Sequence, residues 1–186
     1  MMSELIKTRT ALLKYLRSVQ YDKPKFRIAV EGLIFTSDGK LLLEKRGPNC
    51  RDEVGKLEGV GGSLPEGRED LLQELYEEFD QEIGAQQQHL KIAIDRLLEI
   101  RPVQFMQTKI GQLEDWVVVS FLCRLVEGQP IIGEPDKIES LHYLTMDELF
   151  SMDEALLSNS TIGVRKIYRE KYGNRPYYDV PEEDPV

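Results

Sequence analysis

The sequence predicts an α/β fold of α+β character, in which helices cover the faces of a mixed β-sheet. Short runs rich in β-branched and apolar residues are interleaved with segments of helical periodicity, in the order strand, strand, helix, further strands and helix. A length of 186 residues suits one domain with terminal additions and can bury a sizeable core. No internal repeat interrupts this order. We therefore expect one domain built around a single sheet.

The N-terminal segment is predicted to be a helical extension. Over residues 3–20, apolar side chains recur at helical intervals, and Ser3 is suited to cap the helix. Pro24 breaks the pattern. The chain is therefore divided into a helical extension, a main domain, and a C-terminal helix with an acidic, proline-rich tail packing on the same domain, at residues 1–24, 25–150 and 151–186.

A hairpin and a long loop open the main domain. Apolar runs at residues 27–36 and 41–46 flank the turn Asp38-Gly39, and an Asp-Gly pair between such runs predicts a β-hairpin. The loop that follows, residues 47–67, is rich in glycine and proline and much longer than usual. Loops of this kind are disproportionately functional.

An apolar stripe that includes Leu71 and Leu75 predicts a helix over residues 69–83, which Gly84 can close in a left-handed conformation. Residues 116–125 are apolar enough to predict a strand buried on both faces. The remaining predicted elements are strands at residues 92–100 and 141–144, a helix from Met146 with a capping box of Thr145 and Glu148, and a last helix at residues 153–172.

The composition narrows the classes of function. Hydrophobic residues make up 41% and charged residues 31% of the chain, a balance typical of globular proteins. The net charge of −9, without a dense Lys/Arg cluster, argues against bulk nucleic-acid binding. No apolar run approaches the ~20 residues of a membrane span, and the N-terminus lacks the apolar core of a signal peptide. We expect a cytoplasmic protein with no membrane partner.

Cysteine and histidine are too few for a zinc site built on them. Cys50 and Cys123 lie far apart, and we expect two free thiols, with Cys123 buried in a strand. The two histidines are His89 and His142, and His142 is expected to be a packed strand residue. Any metal chemistry is therefore expected to use oxygen ligands.

Three glutamates form a pattern on the predicted central helix. Glu74, Glu77 and Glu78 stand at i, i+3 and i+4, so their carboxylates project from one face. Acidic helix faces are common, but from Glu69 to His89 there are seven acidic residues and no Lys or Arg. Like-charge neighbours cost about 0.2–0.5 kcal/mol per pair. A cation from elsewhere is expected, and Mg²⁺ prefers carboxylate and water oxygens.

Glycines lie directly before this helix, at Gly59, Gly61, Gly62 and Gly67. Glycine lets a ligand approach the backbone closely and allows positive φ. Turns explain most glycine-rich loops. A glycine-rich loop joined to a helix of co-facial carboxylates is a stronger indication of a functional site.

The loop and the helix together resemble the Nudix box, in which a glycine loop and an early glutamate precede Arg-Glu-U-x-Glu-Glu-x-Gly, where U is a bulky aliphatic residue. The flanking hairpin and the segment 134–149 are also typical of the family, so that the resemblance covers residues 26–150. The matching residues are Leu57-Glu58-Gly59-Val60-Gly61-Gly62, Glu66-Gly67 and Gln73-Glu74-Leu75-Tyr76-Glu77-Glu78.

The resemblance implies a Nudix-type α/β/α sandwich with a mixed β-sheet. It also implies Mg²⁺ or Mn²⁺ held by the helix glutamates, and hydrolysis of the diphosphate linkage in a nucleoside diphosphate derivative. A carboxylate site repels such a polyanion until a metal reverses the local field. The substrate is left open among nucleotide sugars, ADP-ribose, dinucleoside polyphosphates, capped RNA and oxidised nucleotides. Phe105 and Met106, in the segment 101–115, either stack a base or pack the core.

The match departs from the family pattern at three positions. Arg68 stands at the early glutamate, Gln73 at the arginine and Asp80 at the closing glycine. With Gly62 as the first motif glycine, the loop is three residues short. A register starting at Gly59 needs no gap but misplaces the other loop glycines. Both registers place the same three helix glutamates on the motif.

The resemblance implies catalytic and metal-binding roles for those three glutamates, Glu77 and Glu78 as the best ligands and Glu74 as third ligand or metal-bound base. Gly61 and Gly62 are expected to contact substrate. Other residues carry two interpretations each. Glu134 is a candidate general base or an ordinary loop residue; Arg46 binds phosphate or a surface carboxylate; Arg68 binds the glutamates or a phosphate, or is solvated.

Two other functions remain open from the sequence. A Nudix-like sensor would recognise a nucleotide or a protein without cleaving it, and the three departures motivate this alternative. A plain interaction domain would need only the acidic helix, but it leaves the glycine loop unexplained. The N-terminal helix is a candidate surface for forming a homodimer.

Overall fold

The computed structural model describes residues 6–107 and 110–180, in which helices pack on both faces of one mixed sheet. This confirms the predicted fold class, which is the α/β/α sandwich with a mixed sheet. The elements are α1 (Arg9–Ser18), β1 (Arg27–Phe35), β2 (Leu41–Arg46), β3 (Leu57–Glu58), β4 (Val60–Ser63), α2 (Leu71–Ile83), β5 (Lys91–Gln107), β6 (Gln112–Glu127), β7 (Ile138–Leu144), α3 (Met146–Ser151) and α4 (Asn159–Tyr172), with short 3-10 turns at Glu154–Leu156 and Tyr177–Asp179.

The described strands form one sheet that divides at its centre. Its main order is β3-β2-β1-β6-β5, with β1 and β6 parallel and the other pairs antiparallel. The predicted hairpin of β1 and β2 is confirmed, but the two strands pair only at Ile34↔Leu42 and Phe35↔Leu41. Beyond these pairs, β4 lies beside β1 and β3 beside β2. The sheet therefore opens where the chain crosses from β3 to β4.

Hydrophobic clusters fill both faces of the sheet, because alternate side chains of a strand point to opposite sides. In β1, Ile34 joins the cluster under α1 and α2, whereas Leu33 and Phe35 join the cluster under α3 and α4. The strand predicted at residues 116–125 is confirmed as a doubly covered strand, since all residues from 116 to 123 are buried.

Helix α2 is close to its prediction. It begins at Leu71, and Asp70 caps it by accepting hydrogen bonds from the backbone N–H groups of residues 72 and 73. Gly84 ends it with a φ of 64°, the left-handed conformation expected from the sequence. Of the predicted stripe, Leu71, Leu75, Phe79 and Ile83 are fully buried, whereas Leu72 is only partly buried.

The N-terminal helix is shorter than predicted. It begins at Arg9, and Thr8 caps it, whereas the predicted cap Ser3 lies outside the described residues. The helix does not extend to residue 8 because Thr8 is extended and forms a β-bridge with Asp70. The N–H of Leu71 also donates to the carbonyl of Lys7 at 2.9 Å, and the N–H of Arg9 donates to the carbonyl of Glu69 at 2.8 Å. This pairing ties the extension to the start of α2.

The segment predicted as one helix at residues 153–172 is divided. A 3-10 turn ends before Leu157, which is fully buried and forms a parallel bridge with Leu57. Ser158 then caps α4 by accepting a hydrogen bond from the N–H of Thr161. Packing of Leu157 against β3 is therefore what interrupts the helix.

Other predictions concern the strands and the thiols. The capping box of Thr145 and Glu148 is confirmed. The long loop contains the short strands β3 and β4, and β5 runs to residue 107 rather than to 100. Cys50 and Cys123 are free thiols, and Cys123 is buried. None of the helices in the described segments has the length and hydrophobicity needed to cross a membrane.

Candidate functional site

The loop glycines are required by close contacts rather than by turns alone. A Cβ on Gly61 would collide with the backbone carbonyl of Val30, and a Cβ on Gly62 would collide with the carboxylate of Glu78. Both glycines lie in β4, which pairs with β1. The glutamate helix and the glycine strand can therefore approach each other only because side chains are absent from β4.

Arg68 supplies a positive charge to the glutamate face. Its Nη1 and Nη2 donate to the two oxygens of Glu77 at 2.6 and 3.0 Å, and its Nε lies 3.5 Å from Glu74 Oε2. Of the interpretations open for Arg68, the structure therefore favours contact with the glutamates. Arg68 directly precedes Glu69, where the segment without Lys or Arg begins. Its ion pairs lower the pKa of Glu77.

Glu78 points away from Arg68 and towards Gly62. Burial, reinforced by the carboxylates of Glu74 and Glu134, raises the pKa of Glu78 to about 7, and the charge of Lys137 opposes this rise. Among the described residues, no ion pair is formed by Glu78. Glu74 is 5% exposed, and its Oε2 is buried and receives no hydrogen bond. The three helix glutamates are therefore near each other, but Arg68 neutralises only part of their charge.

Further carboxylates that were not predicted extend this acidic site. Glu82 follows Glu78 by one helical turn, and its Oε2 accepts a hydrogen bond of 2.8 Å from the N–H of Gly61. Glu44, in β2, lies within hydrogen-bonding range of Glu82, and burial raises the pKa of both groups well above its usual range. The i+4 spacing of Glu82 was a usable sequence signal. Glu44 gave a weaker one, as a charged residue after three leucines.

Glu58 lies opposite Glu44 in the pairing of β2 with β3. Burial raises the pKa of Glu58 to about 7, although Arg46 forms an ion pair with it. Arg46 also donates to the carbonyl and to Oδ1 of Asp52, each at 2.9 Å. Arg46 therefore binds carboxylates, and a contact with phosphate stays a prediction. Its side chain also lines the wall of a cleft.

Glu134 lies at the outer edge of the acidic site. Both of its oxygens accept hydrogen bonds of 3.0 Å from Lys137 Nζ. Its charge contributes to the raised pKa of Glu78, so the two carboxylates are near neighbours. A role as general base remains a prediction.

The donor chemistry of the site suits a divalent cation. It offers carboxylate oxygens in excess of nearby positive charge, including the unbonded Oε2 of Glu74 and the unpaired Glu78. In the described part of the chain, no three His, Cys, Asp or Glu side chains are arranged as a ready-made metal site. A cation bound by the three helix glutamates would have to displace Arg68 from Glu77.

A cleft of about 340 Å³ lies beside the opening of the sheet. Its floor is formed by β1 and β6, and the backbone of β4 forms one wall. Gly61, Gly62 and Arg46 line it, as three of the four predicted substrate contacts, whereas Arg68 lies outside. Gly62 therefore borders both the cleft and the carboxylate of Glu78.

One end of the cleft is aromatic and cationic. Arg27 and Arg51 lie against the ring of Trp116, at 4.4 and 5.0 Å from its centroid. Phe105 packs edge-on against the same ring at 5.9 Å. Phe105 thus lines the cleft, whereas Met106 is about half exposed and is not among the residues that line it. No local pattern in the sequence indicated that Trp116 would line a cleft.

The other end of the cleft holds a buried acid, Glu31, which is 5% exposed. Ser120 and Ser160 both donate to its Oε2, at 3.0 and 2.8 Å. Burial raises the pKa of Glu31, and these hydrogen bonds oppose the rise. Its Oε1 has no hydrogen-bond partner and lies beside Gly59, where a Cβ would be only 2.8 Å from it. A single charged residue in the apolar run of β1 was the sequence signal for this group.

Comparison with known proteins gives one consistent family. The model of the NUDIX domain matches residues 25–169 of the chain. No curated protein matches the chain in sequence. Among solved structures, a MutT Nudix hydrolase from Burkholderia pseudomallei is 25% identical, with a TM-score of 0.57, over 76% of this chain and 97% of that one.

Two more distant structures share the fold. A MutT protein from Methanosarcina mazei is 18% identical, with a TM-score of 0.62, over 81% of this chain and 98% of that one. The Nudix domain of NrtR from Shewanella oneidensis, solved with ADP-ribose, is 15% identical, with a TM-score of 0.58, over 86% of this chain and 97% of that one.

The family match includes the glycine strand, the glutamate helix and both ends of the cleft. Nudix hydrolases act on nucleoside diphosphate derivatives and generally use divalent metal cations. With a match over most of its length, the chain belongs to the Nudix family and is a pyrophosphohydrolase of that family.

Proposed function

We propose that this chain hydrolyses the diphosphate linkage of a nucleoside diphosphate derivative, with Mg²⁺ or Mn²⁺ held by glutamates of α2. The observation that carries the proposal is the position of Gly62, which borders the substrate-sized cleft on one side and the Glu78 carboxylate on the other. A ligand in the cleft would thus have its phosphates next to the acidic site.

Glu78 is the principal metal ligand in this proposal, because it has excess negative charge and no ion pair in the described chain. Glu74 would supply its unbonded oxygen, and Glu77 would join once Arg68 turns away. The bound cation would polarise phosphoryl oxygens and lower the pKa of a bound water. Released from Glu77, Arg68 would be free to meet a phosphate oxygen.

In the proposed orientation of the substrate, the diphosphate lies on the side of the cleft that borders Gly62. Carboxylates border Gly62, whereas Arg27 and Arg51 lie at the aromatic end. The diphosphate is a polyanion, so it needs the cation on the carboxylate side. Gly61 and Gly62 would present backbone to it, and Arg46 would add positive charge at the wall. Glu134 stays the candidate general base, reached by release of Lys137.

The test is the variant Glu78→Gln, which keeps the shape of the side chain and removes its charge. We expect kcat to fall by about a hundredfold or more, the range seen when a central electrostatic group is removed. The thermal unfolding midpoint should stay equal or rise, because a buried, repelled carboxylate is lost. Glu170→Gln, an exposed carboxylate on α4, is the matched control and should not change kcat. Undiminished turnover in Glu78→Gln would remove the proposed role.

The substrate is found with a panel of nucleoside diphosphate derivatives: nucleotide sugars, ADP-ribose, dinucleoside polyphosphates, capped RNA and oxidised nucleotides. Each is incubated with Mg²⁺ and, separately, with Mn²⁺, and phosphate-containing products are measured. At least one class should be cleaved. Binding without cleavage across the panel would instead favour the nucleotide sensor, which the pairing of Arg68 with Glu77 makes a physically coherent alternative.

A further inference from the structure

Glu31 lies on the floor of the cleft, at the opposite end from Trp116. Side chains at positions 27, 29 and 31 of β1 share one face of the sheet. Their parallel partners in β6 are Trp116, Val118 and Ser120. From residue 27 to residue 31 the strand advances about 13 Å, at roughly 3.3 Å per residue. The floor therefore changes from cationic and aromatic, through an apolar step, to a buried acid.

The two oxygens of Glu31 differ in their surroundings. Oε2 accepts hydrogen bonds from both Ser120 and Ser160, which fixes the orientation of the carboxyl group. Oε1 is buried and has no hydrogen-bond partner. The positive charge of Arg101 acts on Glu31, but the Arg101 guanidinium is bonded to Glu99 and to the backbone carbonyl of Ser160.

A buried acceptor without a partner is unusual, since most buried polar side-chain atoms in native proteins are hydrogen-bonded. Leaving it unpaired is costly, because the atom loses its hydration without gaining a hydrogen bond. Gly59 makes the arrangement possible, because any side chain there would press on Oε1. The serines hold the carboxyl in place, and the absence of a side chain at Gly59 leaves space beside its second oxygen. The arrangement is therefore one that a ligand would complete.

We propose that Glu31 is a specificity-determining residue, whose Oε1 accepts a hydrogen bond from the exocyclic amino group of a nucleobase. The proposal rests on the proposed function, since it names the part of the nucleotide that binds at the Glu31 end of the cleft. The apolar step formed by Ala29 and Val118 suits a flat ring. A sugar carries hydroxyl groups on both faces and fits this step less well. The donor must lie at the edge of the ring, in the plane of the fixed carboxyl.

Ring-edge recognition has a clear energetic consequence. A site built to bond an N–H group discriminates strongly against an analogue that lacks it, because the buried acceptor is then left unpaired. A hydrogen bond to a charged group corresponds to about a tenfold to hundredfold change in affinity. Affinity, rather than the rate of the chemical step, should carry the effect.

The experiment measures binding without turnover, by calorimetry on the Glu78→Gln chain in the absence of metal. The ligands are matched pairs that differ by one amino group: AMP and purine riboside 5′-monophosphate, GMP and IMP, CMP and 2-pyrimidinone riboside 5′-monophosphate. At least one amino-bearing nucleotide should bind about tenfold or more tightly than its partner. Adding Glu31→Gln should reduce that ratio to about one. Glu170→Gln, an exposed carboxyl on α4 outside the cleft, is the control and should keep it.

Ser160→Ala gives a second variant, which leaves Glu31 in place and removes one of the two hydroxyls that orient it. It should reduce the discrimination partly, so the proposal stays testable if Glu31→Gln does not fold, as judged by thermal unfolding. Equal affinities within all three pairs would overturn the proposal. So would discrimination that persists in Glu31→Gln, or that follows removal of the ribose 2′-hydroxyl instead of the amino group.

The outcome is separable from that of the proposed function. Hydrolysis by the chain with native Glu78 is measured with the substrate panel. Turnover without amino discrimination would overturn the role of Glu31 alone. Amino discrimination without turnover would overturn the hydrolytic role of the helix glutamates and leave the role of Glu31 standing.

Discussion

At the scale of single residues, Arg68 binds the oxygens that a divalent cation would use in the proposed function. Arg68 binds Glu77 through two hydrogen bonds and approaches Glu74 at 3.5 Å. Arg68→Gln should therefore tighten Mn²⁺ binding severalfold, because a repelled carboxylate pair attracts the dication more strongly. Calorimetric titration with Mn²⁺ measures this.

Arg124→Gln is the matched control for that titration. Arg124 likewise donates through two nitrogens, Nε and Nη2, to the two oxygens of Asp95 at 2.6 and 3.1 Å, and neither residue belongs to the acidic site. Its substitution should leave the affinity for Mn²⁺ unchanged. Weaker binding in Arg68→Gln would mean that the arginine organises the ligands instead of competing for them.

Gly62 and Gly61 differ in what an added side chain would meet. The Cβ of Gly62→Ala would displace the Glu78 carboxylate, the end of a flexible side chain. We expect kcat to fall about tenfold or more, with a small change in stability, since a misplaced reacting group costs rate before it costs folding. The Cβ of Gly61→Ala would meet the backbone of Val30, so its main effect should be a loss of about 1–3 kcal/mol in the free energy of unfolding.

Steady-state kinetics and urea unfolding of the two variants separate these effects. A Gly62→Ala protein with native kcat would show that Glu78 can move without consequence. The sequence motif predicted both glycines, but not their different neighbours. Those depend on the pairing of β4 with β1, which no local pattern specifies.

Only part of the acidic cluster was predicted from the sequence. The helix glutamates were predicted because helical spacing is local in sequence. Glu44 and Glu58 were not, because they meet only through the pairing of β2 with β3. Glu31 was also missed, since its serine partners come from β6 and α4, at residues 120 and 160.

At the scale of elements, the N-terminal helix holds the loop that precedes α2. Arg9 donates from Nε to the carbonyl of Arg68 at 2.8 Å and from Nη2 to the carbonyl of Pro65 at 2.6 Å. Arg9→Ala should lower the free energy of unfolding by about 1–3 kcal/mol, because two carbonyls lose charged donors. It should also lower kcat, because Arg68 and the loop lose their support.

Arg17→Ala is the control for this effect, since Arg17 is exposed on the same helix. Thermal unfolding and steady-state kinetics of both variants test the prediction. Equal behaviour of the two would mean that the extension is independent of the site. The sequence predicted the extension as a helix but assigned it no contact with the glutamate helix.

The ends of a helix could be predicted where the sequence contains clear capping residues. Asp70 and Gly84 bracket α2 as capping rules predict. The break before α4 could not be predicted in this way, because it results from burial of Leu157 against β3. Strands of two and four residues, such as β3 and β4, are too short for periodicity to detect.

At the scale of the whole molecule, residues from the predicted C-terminal segment complete the main domain. Tyr168 and Tyr177 are fully buried in the hydrophobic cluster under α3 and α4. Ser160 donates a hydrogen bond to Glu31 in the cleft. The family match also runs to residue 169. The division at residue 151 remains a prediction about the chain, but the cleft depends on both sides of it.

Metal binding, proton binding and stability are linked through the acidic site. The pKa of Glu78 is raised by burial to about 7, so the folded state holds a proton that the unfolded state releases near its ordinary value. This contribution to stability is present at low pH and is lost as the pH rises through about 7. In the proposed function, a divalent cation would replace the lost proton. Adding Mg²⁺ should therefore raise the thermal unfolding midpoint by several degrees at pH 8 and by much less at pH 5.

The comparison needs four melting curves of the native chain, with and without Mg²⁺ at each pH, and the same four for Glu78→Gln. In that variant the stabilisation by Mg²⁺ at pH 8 should shrink, because the carboxylate that both the proton and the cation occupy is gone. A shift by Mg²⁺ of equal size at both pH values would contradict the linkage. It would mean that the cation binds carboxylates that are already ionised at pH 5, away from the helix face on which the proposed reaction depends.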